Sequence, residues 1–159
     1  VPALAKAGGN YLSSALVTLE ARRLGFAEGL ALNTAGFVSE GAGENLFLVQ
    51  NSKLYTPPLA SSILGGLTRD SVTKLAQSAG LEVIEQNIPR ELLYIADELF
   101  MTGTAAHLTP IVEVDRRTVG TGKPGPITSK LSELFYDCIR GKNKKYASWC
   151  IPAKPRASK

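Results

Sequence analysis

Four short runs with strand character, GLALN, FVSEG, NLFLVQ and KLYTP, follow one another between residues 29 and 57 with no helical stretch among them. Turn residues separate them at Asn33 to Gly36 and at Asn51-Ser52. Residues 29–57 are therefore predicted to form an antiparallel meander. Beyond it helices and strands alternate irregularly, and several strands are adjacent. That order argues against a doubly wound parallel sheet and predicts an α+β (mixed α/β) domain.

The remaining elements follow from periodicity. Leu12, Ala15, Leu16 and Leu19 recur at helical spacing from Asn10 to Leu24, with Gly25 as the cap. GGLTRDSVTKLAQSAG sets two glycines ahead of a helix of about three turns, which Gly80 ends. EVIEQNIP reads as a strand and RELLYIAD as a short helix. ELFMTGTAA reads as a buried strand running into a turn of small residues. LTPIVEVD and RRTVG suggest a hairpin. PITSKLSELFYDCIR is a closing amphipathic helix with Pro126 near its start. No internal repeat is visible, and 159 residues suffice for one domain with a sizeable core.

Composition narrows the function classes. Hydrophobic residues make up 44% and charged residues 20%, values of a globular chain. No apolar run is long enough to span a bilayer, and the N-terminus lacks the order of a secretory signal, so a cytoplasmic location is expected. The net charge of +4 is concentrated in GKNKKYASWCIPAKPRASK, residues 141–159, with six Lys or Arg and no Asp or Glu. The preceding body is nearly balanced, which argues against a nucleic-acid partner, and the basic tail reads as a solvated, partly disordered end. Cys138 and Cys150 form no CxxC, and His107 is the single histidine. No metal site is expected, and the cysteines read as free thiols of a reducing compartment. His107 itself reads as structural or solvent-facing.

Three places pair small residues with backbone N–H groups free to bind. LGGLTRD, residues 64–70, feeds a Gly-Gly pair into a helix N-terminus, where unpaired amides and the helix dipole favour an anion. MTGTAA, residues 101–106, ends a strand in a glycine between Thr102 and Thr104. SEGAGENLF, residues 39–47, sets Glu40 at a strand end beside two glycines. Upstream, Lys6 stands among alanines and glycines in VPALAKAGGNYL, five residues ahead of Tyr11. Its small neighbours leave room for a large group to reach the amine. Each feature alone has a plain reading: a turn, a surface lysine, an exposed acid. Together they offer an amine, a phenol, a carboxylate and two anion-binding turns. Pyridoxal phosphate, with its aldehyde, phenolic oxygen, basic ring nitrogen and phosphate, would use all of them. The GxGxxG and Walker patterns are absent.

KAGGNYLSSALVTLEARRLGF, GFVSEGAGENLFLV, GGLTRDSV and ADELFMTGTAAHLTPI, in this order, resemble the class IV (fold type IV) pyridoxal-phosphate aminotransferases from about Lys6 to Arg140. EGAGENLF is similar to the branched-chain amino acid aminotransferases more than to the D-amino acid aminotransferases or aminodeoxychorismate lyases of the same fold. The resemblance implies the C-terminal large domain of the D-amino acid aminotransferase-like fold. It implies that Lys6 bonds the cofactor aldehyde and later moves the Cα proton. Tyr11 would bind the phenolic oxygen and Glu40 the pyridine nitrogen. Leu67 and Thr68 would hold the phosphate through backbone amides, and Thr104 through its hydroxyl. Thr104 and Ala105 amides would receive the substrate carboxylate.

The reaction implied is amino transfer from leucine, isoleucine or valine to 2-oxoglutarate, in a homodimer or higher homo-oligomer without membrane or nucleic acid. The family's smaller N-terminal domain supplies an arginine to the phosphate and part of the pocket, and it has no counterpart here. Residues 1–5 then read as the end of an interdomain connection, 6–140 as the cofactor-binding domain and 141–159 as the tail. As a fragment, the chain is expected to bind cofactor weakly, turn over little or not at all, and self-associate through exposed apolar surface. A non-catalytic truncated interaction module is the rival from another class.

Overall fold

The computed structural model describes residues 2–151, so positions 152–159 of the predicted tail lie outside the described residues. The first helix, α1, spans Tyr11–Arg23. Gly25 ends it with a φ of 80°, a conformation only glycine adopts without steric cost. The turn is closed by Phe26 N–H to Ala21 C=O (2.8 Å) and Gly25 N–H to Arg22 C=O (3.0 Å), a Schellman pair. The predicted helix forms, yet its leucine stripe is not buried. Leu12, Leu16 and Leu19 are 75%, 69% and 61% exposed.

The predicted meander does not form as one sheet. Strands β1 (Leu30–Leu32) and β2 (Val38–Gly41) make a separate two-stranded ribbon. Strands β3 (Asn45–Gln50) and β4 (Lys53–Thr56) pair as a tight hairpin. Asn51 and Ser52, both at positive φ (52° and 60°), supply its two-residue turn. Between β2 and β3 the chain turns at residues 41–44, with Gly41 N–H donating to Glu44 C=O at 2.7 Å. The second edge of β3 is taken instead by β6 (Glu98–Gly103). That pairing sets Leu46, Phe47 and Leu48 opposite Met101, Phe100 and Leu99. Such apolar cross-strand matches are worth more than the short polar edge of β2 offers.

The central sheet is completed by β5 (Val83–Glu85), parallel to β4, and by β7 (His107–Ile111), antiparallel to β6. Its order is β5-β4-β3-β6-β7. Three expectations change accordingly. EVIEQNIP contributes only Val83–Glu85 as a strand. RELLYIAD is a 3-10 turn, Arg90–Tyr94, not an α-helix. LTPIVEVD pairs mainly with β6, and the predicted hairpin shrinks to β8 (Glu113–Val114) and β9 (Arg117–Thr118). The pleat of β6 continues directly into β7 through the turn at 104–106, which outcompetes a later partner.

Strands β3 and β6 are buried on both faces, as their nearly continuous apolar runs require. On one face Phe47, Val49 and Phe100 meet α2 (Leu67–Ser78) and α3 (Pro126–Ile139) through Val72, Leu75, Leu131 and Phe135. The Phe47 and Phe100 rings stack at 5.1 Å, which adds about 0.5–1.5 kcal/mol beyond their burial. On the other face Leu46, Leu48, Leu99 and Met101 pack with Val38, Ile88 and Leu93.

Two buried ionic groups fasten the helices. Arg69 of α2 donates to Pro57 C=O (3.0 Å) and Thr56 Oγ1 (3.3 Å) and pairs with Glu85 (3.1 Å). Glu98 of β6 accepts from the Ile127 and Thr128 N–H groups (3.0 and 2.7 Å) at the start of α3, where a carboxylate also answers the helix dipole. The first part of the tail is largely exposed, as expected, yet it takes a regular form. Lys144–Trp149 form a 3-10 element, Tyr146 donates to Lys74 C=O (3.3 Å), and Cys150 Sγ lies 3.0 Å from Cys138 C=O. Both cysteines are free thiols.

Candidate active site

A cleft of about 460 Å³ opens between the start of α1, the end of β2 and the turn before α2. Lys6, Tyr11, Glu40 and Leu64 are among its walls. Lys6 is exposed and left-handed (φ 45°, ψ 37°). Outside glycine that conformation is uncommon and strained, and such strain clusters at functional sites. Its Nζ donates to the Tyr11 hydroxyl at 2.9 Å. Helix α1 starts at Tyr11 itself, so the hydroxyl is placed by the first helical turn.

Glu40 is half-buried at the end of β2. Its Oε2 accepts from Leu64 N–H (2.9 Å) and Asn45 Nδ2 (3.0 Å). Burial pushes its carboxyl above the ordinary range. The Leu64 N–H and the Lys6 charge pull it back, and the neighbouring Glu44 pushes it up again. The cleft thus holds an amine, a phenol and a carboxylate within one small volume.

The other predicted positions lie outside these walls. Leu67 and Thr68 begin α2, directly past the Gly65-Gly66 turn that leaves the cleft at Leu64. The Leu67 side chain is 85% exposed, and no side chain caps this helix start. Leu67 and Thr68 line a second, smaller depression of about 200 Å³ with Trp149 and Cys150. Thr104 and Ala105 are exposed in the turn between β6 and β7. At the end of β6, just before that turn, a Cβ on Gly103 would stand 3.3 Å from both the Glu44 Cγ and the Gly43 C=O, two residues of the cleft wall. His107 stands apart, with Nδ1 3.2 Å from the Tyr136 hydroxyl.

Residue chemistry alone missed Glu44 and Asn45. Glu44 lines the cleft and accepts from Gly43 N–H at 3.0 Å. Asn45 is 4% exposed and donates to both Glu40 and Leu64 C=O (2.8 Å). A signal was present: a polar residue opens the apolar strand NLFLVQ on the same face as Phe47, and a buried amide must find partners. Among the described residues no group of three His, Cys, Asp or Glu side chains is placed to hold a metal, and no helix is long and apolar enough to cross a membrane.

The sequence model of the family described as amino-transferase class IV matches residues 3–114. The chain belongs to the class IV aminotransferases. This class IV chain is 52% identical over 152 residues to the branched-chain-amino-acid aminotransferase of Salmonella typhimurium, covering 96% of itself and 49% of that relative. Its structure superposes on the Escherichia coli branched-chain amino acid aminotransferase with a TM-score of 0.91 at 52% identity, over 94% of this chain and 50% of the other. It superposes equally, at 0.91 with 41% identity and 94% and 49% coverage, on the Thermobaculum terrenum branched-chain amino acid aminotransferase in its PLP-form. The fold is thus that of the fold type IV branched-chain aminotransferases. The chain spans about half the length of the curated relatives it matches.

Proposed function

We propose that the chain is the cofactor-binding part of a branched-chain amino acid aminotransferase, which passes the amino group of leucine, isoleucine or valine to 2-oxoglutarate with pyridoxal phosphate. The observation that carries this reading is the gathering of Lys6, Tyr11 and Glu40 on one cleft. The donor set fits the cofactor's chemistry, and the cleft is of small-ligand size. Lys6 would hold the aldehyde carbon, Tyr11 the phenolic oxygen and Glu40 the ring nitrogen. The uncapped amides of Leu67 and Thr68 would take the phosphate, with the Thr104 hydroxyl. Thr104 and Ala105 amides would receive the substrate carboxylate.

When bound, pyridoxal phosphate supplies an electron sink for the pair left at Cα as its proton departs. The chain's own residues do the rest. Glu40, with both N–H donors on Oε2, offers a carboxylate oxygen to a ring N–H. Tyr11 orients the Lys6 amine. Nζ of Lys6 is the atom that takes the Cα proton and returns it. The region 6–140 would be the cofactor-binding domain, completed in the whole protein by a smaller preceding domain and a second subunit that close the pocket against water.

The test is to incubate the chain with excess pyridoxal phosphate, fix the lysine–cofactor bond with borohydride and map the labelled peptide by mass spectrometry. Label confined to Lys6 is expected. Scattered label, or none on a folded chain, would overturn the assignment. Challenge of the whole protein, with its preceding domain present, before reduction reads the substrate. L-leucine, L-isoleucine and L-valine should release trappable label, and preferential release by D-alanine would overturn the branched-chain part.

A further inference from the structure

Asn45 stands at the centre of a closed set of hydrogen bonds. Its Nδ2 donates to Glu40 Oε2 (3.0 Å) and to Leu64 C=O (2.8 Å), while Leu64 N–H donates to the same Oε2 (2.9 Å). Leu64 therefore offers both backbone groups to the pair. On its other side, Asn45 Oδ1 fills the space that a Cβ on Gly66 would need. Gly66 has a φ of −67°, so glycine is demanded there by the approach of Asn45 and not by backbone conformation. One buried amide thus touches both the carboxylate of the cleft and the turn that starts α2.

Both donors fall on Oε2, and Oε1 of Glu40 has no hydrogen-bond partner among the described residues. A glutamate held by one backbone N–H could still rotate about its terminal torsion. A second donor from a different direction removes that freedom. We propose that Asn45 is a positioning residue that locks Glu40 through Oε2, presents Oε1 alone to the cleft, and ties that lock to the Gly65-Gly66 turn. The proposal rests on the cleft being the cofactor site, since the ring nitrogen is what Oε1 would meet.

The charged and titratable groups facing Glu40 are Lys6 ahead of α1, Tyr11 on α1 and Glu44 in the turn before β3. None of them is altered in the test. Glutamate carboxyls of the 159-residue chain are titrated by carbon-13 NMR without cofactor, with Glu40 assigned through Glu40→Gln. Asn45→Ala removes a donor. Gly66→Ala pushes Asn45 aside from behind and leaves both Asn45 and Glu40 in the sequence. Both variants should move the Glu40 midpoint upward, because a carboxylate that loses an N–H donor holds its proton more tightly. Both should weaken pyridoxal phosphate binding about fivefold, the worth of one hydrogen bond. An unmoved midpoint in a folded Asn45→Ala chain would overturn the positioning role. An unmoved midpoint in a folded Gly66→Ala chain would overturn the tie to the turn. Failure of wild-type chain to bind the cofactor would strike the functional reading instead, and the titration would still decide the role of Asn45.

Discussion

Lys6 and Glu40 carry opposite costs into the cleft. Lys6 accepts a left-handed backbone, which outside glycine costs roughly 1–2 kcal/mol. Glu40 accepts partial burial of a charge, and burial is the largest cause of its raised carboxyl. A carboxyl raised on folding binds more protons in the native than in the unfolded chain between the two pKa values. Stability from this group is therefore full below its ordinary value and is lost as pH rises through the folded one. Glu40→Gln keeps an oxygen for Leu64 N–H and Asn45 but removes the charge. It is expected to raise the thermal midpoint at neutral pH, with the gain vanishing at acidic pH, as scanning calorimetry across pH would show. Tyr11→Phe deletes the hydroxyl that receives Lys6 Nζ. It should reduce borohydride-trapped label several-fold, about the worth of one hydrogen bond, without moving the thermal midpoint. Lys6 and Glu40 were legible in the sequence because each brings a functional group where its neighbours are small, and Tyr11 because it follows Lys6 by five residues in a stretch that resembles the family. Asn45 was not, because its role depends on Leu64, which only the folded chain brings beside it.

The helices and most strands were equally legible, since periodicity is a local property. Pairing was not. The edge of β3 chose β6 over β2, and nothing within residues 29–57 records that a better apolar partner lies some fifty residues on. Glu98 escaped notice for the same reason: its partners are the first amides of a helix nearly thirty residues later. A Cβ on Gly125 would fall on the Glu98 carboxyl, so strand and helix start meet without room for a side chain. Gly125→Ala should displace the carboxylate from the N-terminus of α3 and cost roughly 2–3 kcal/mol, the range for hydrogen bonds to a charged group. Urea unfolding measures it. Leu75→Ala, in the core of α2, should cost about 2–5 kcal/mol by the same assay, through a cavity under the helix.

At the scale of the whole molecule, the exposed Leu12, Leu16 and Leu19 of α1 form an apolar stripe that the domain leaves uncovered. The isolated chain is expected to sediment heavier than a monomer. Leu16→Lys together with Leu19→Lys should return it to monomer, and a wild-type monomer at micromolar concentration would contradict the expectation. The order of strands in the sheet also bears on time. Strands β3 and β4 are joined by two residues and can close within microseconds, before anything downstream exists. The other edge of β3 must wait for Glu98–Gly103 to leave the ribosome. During that interval a nascent chain carries Leu46, Phe47 and Leu48 on an open strand edge, the form most prone to wrong pairing. The most buried strand of the finished protein is therefore the one that synthesis leaves unguarded longest.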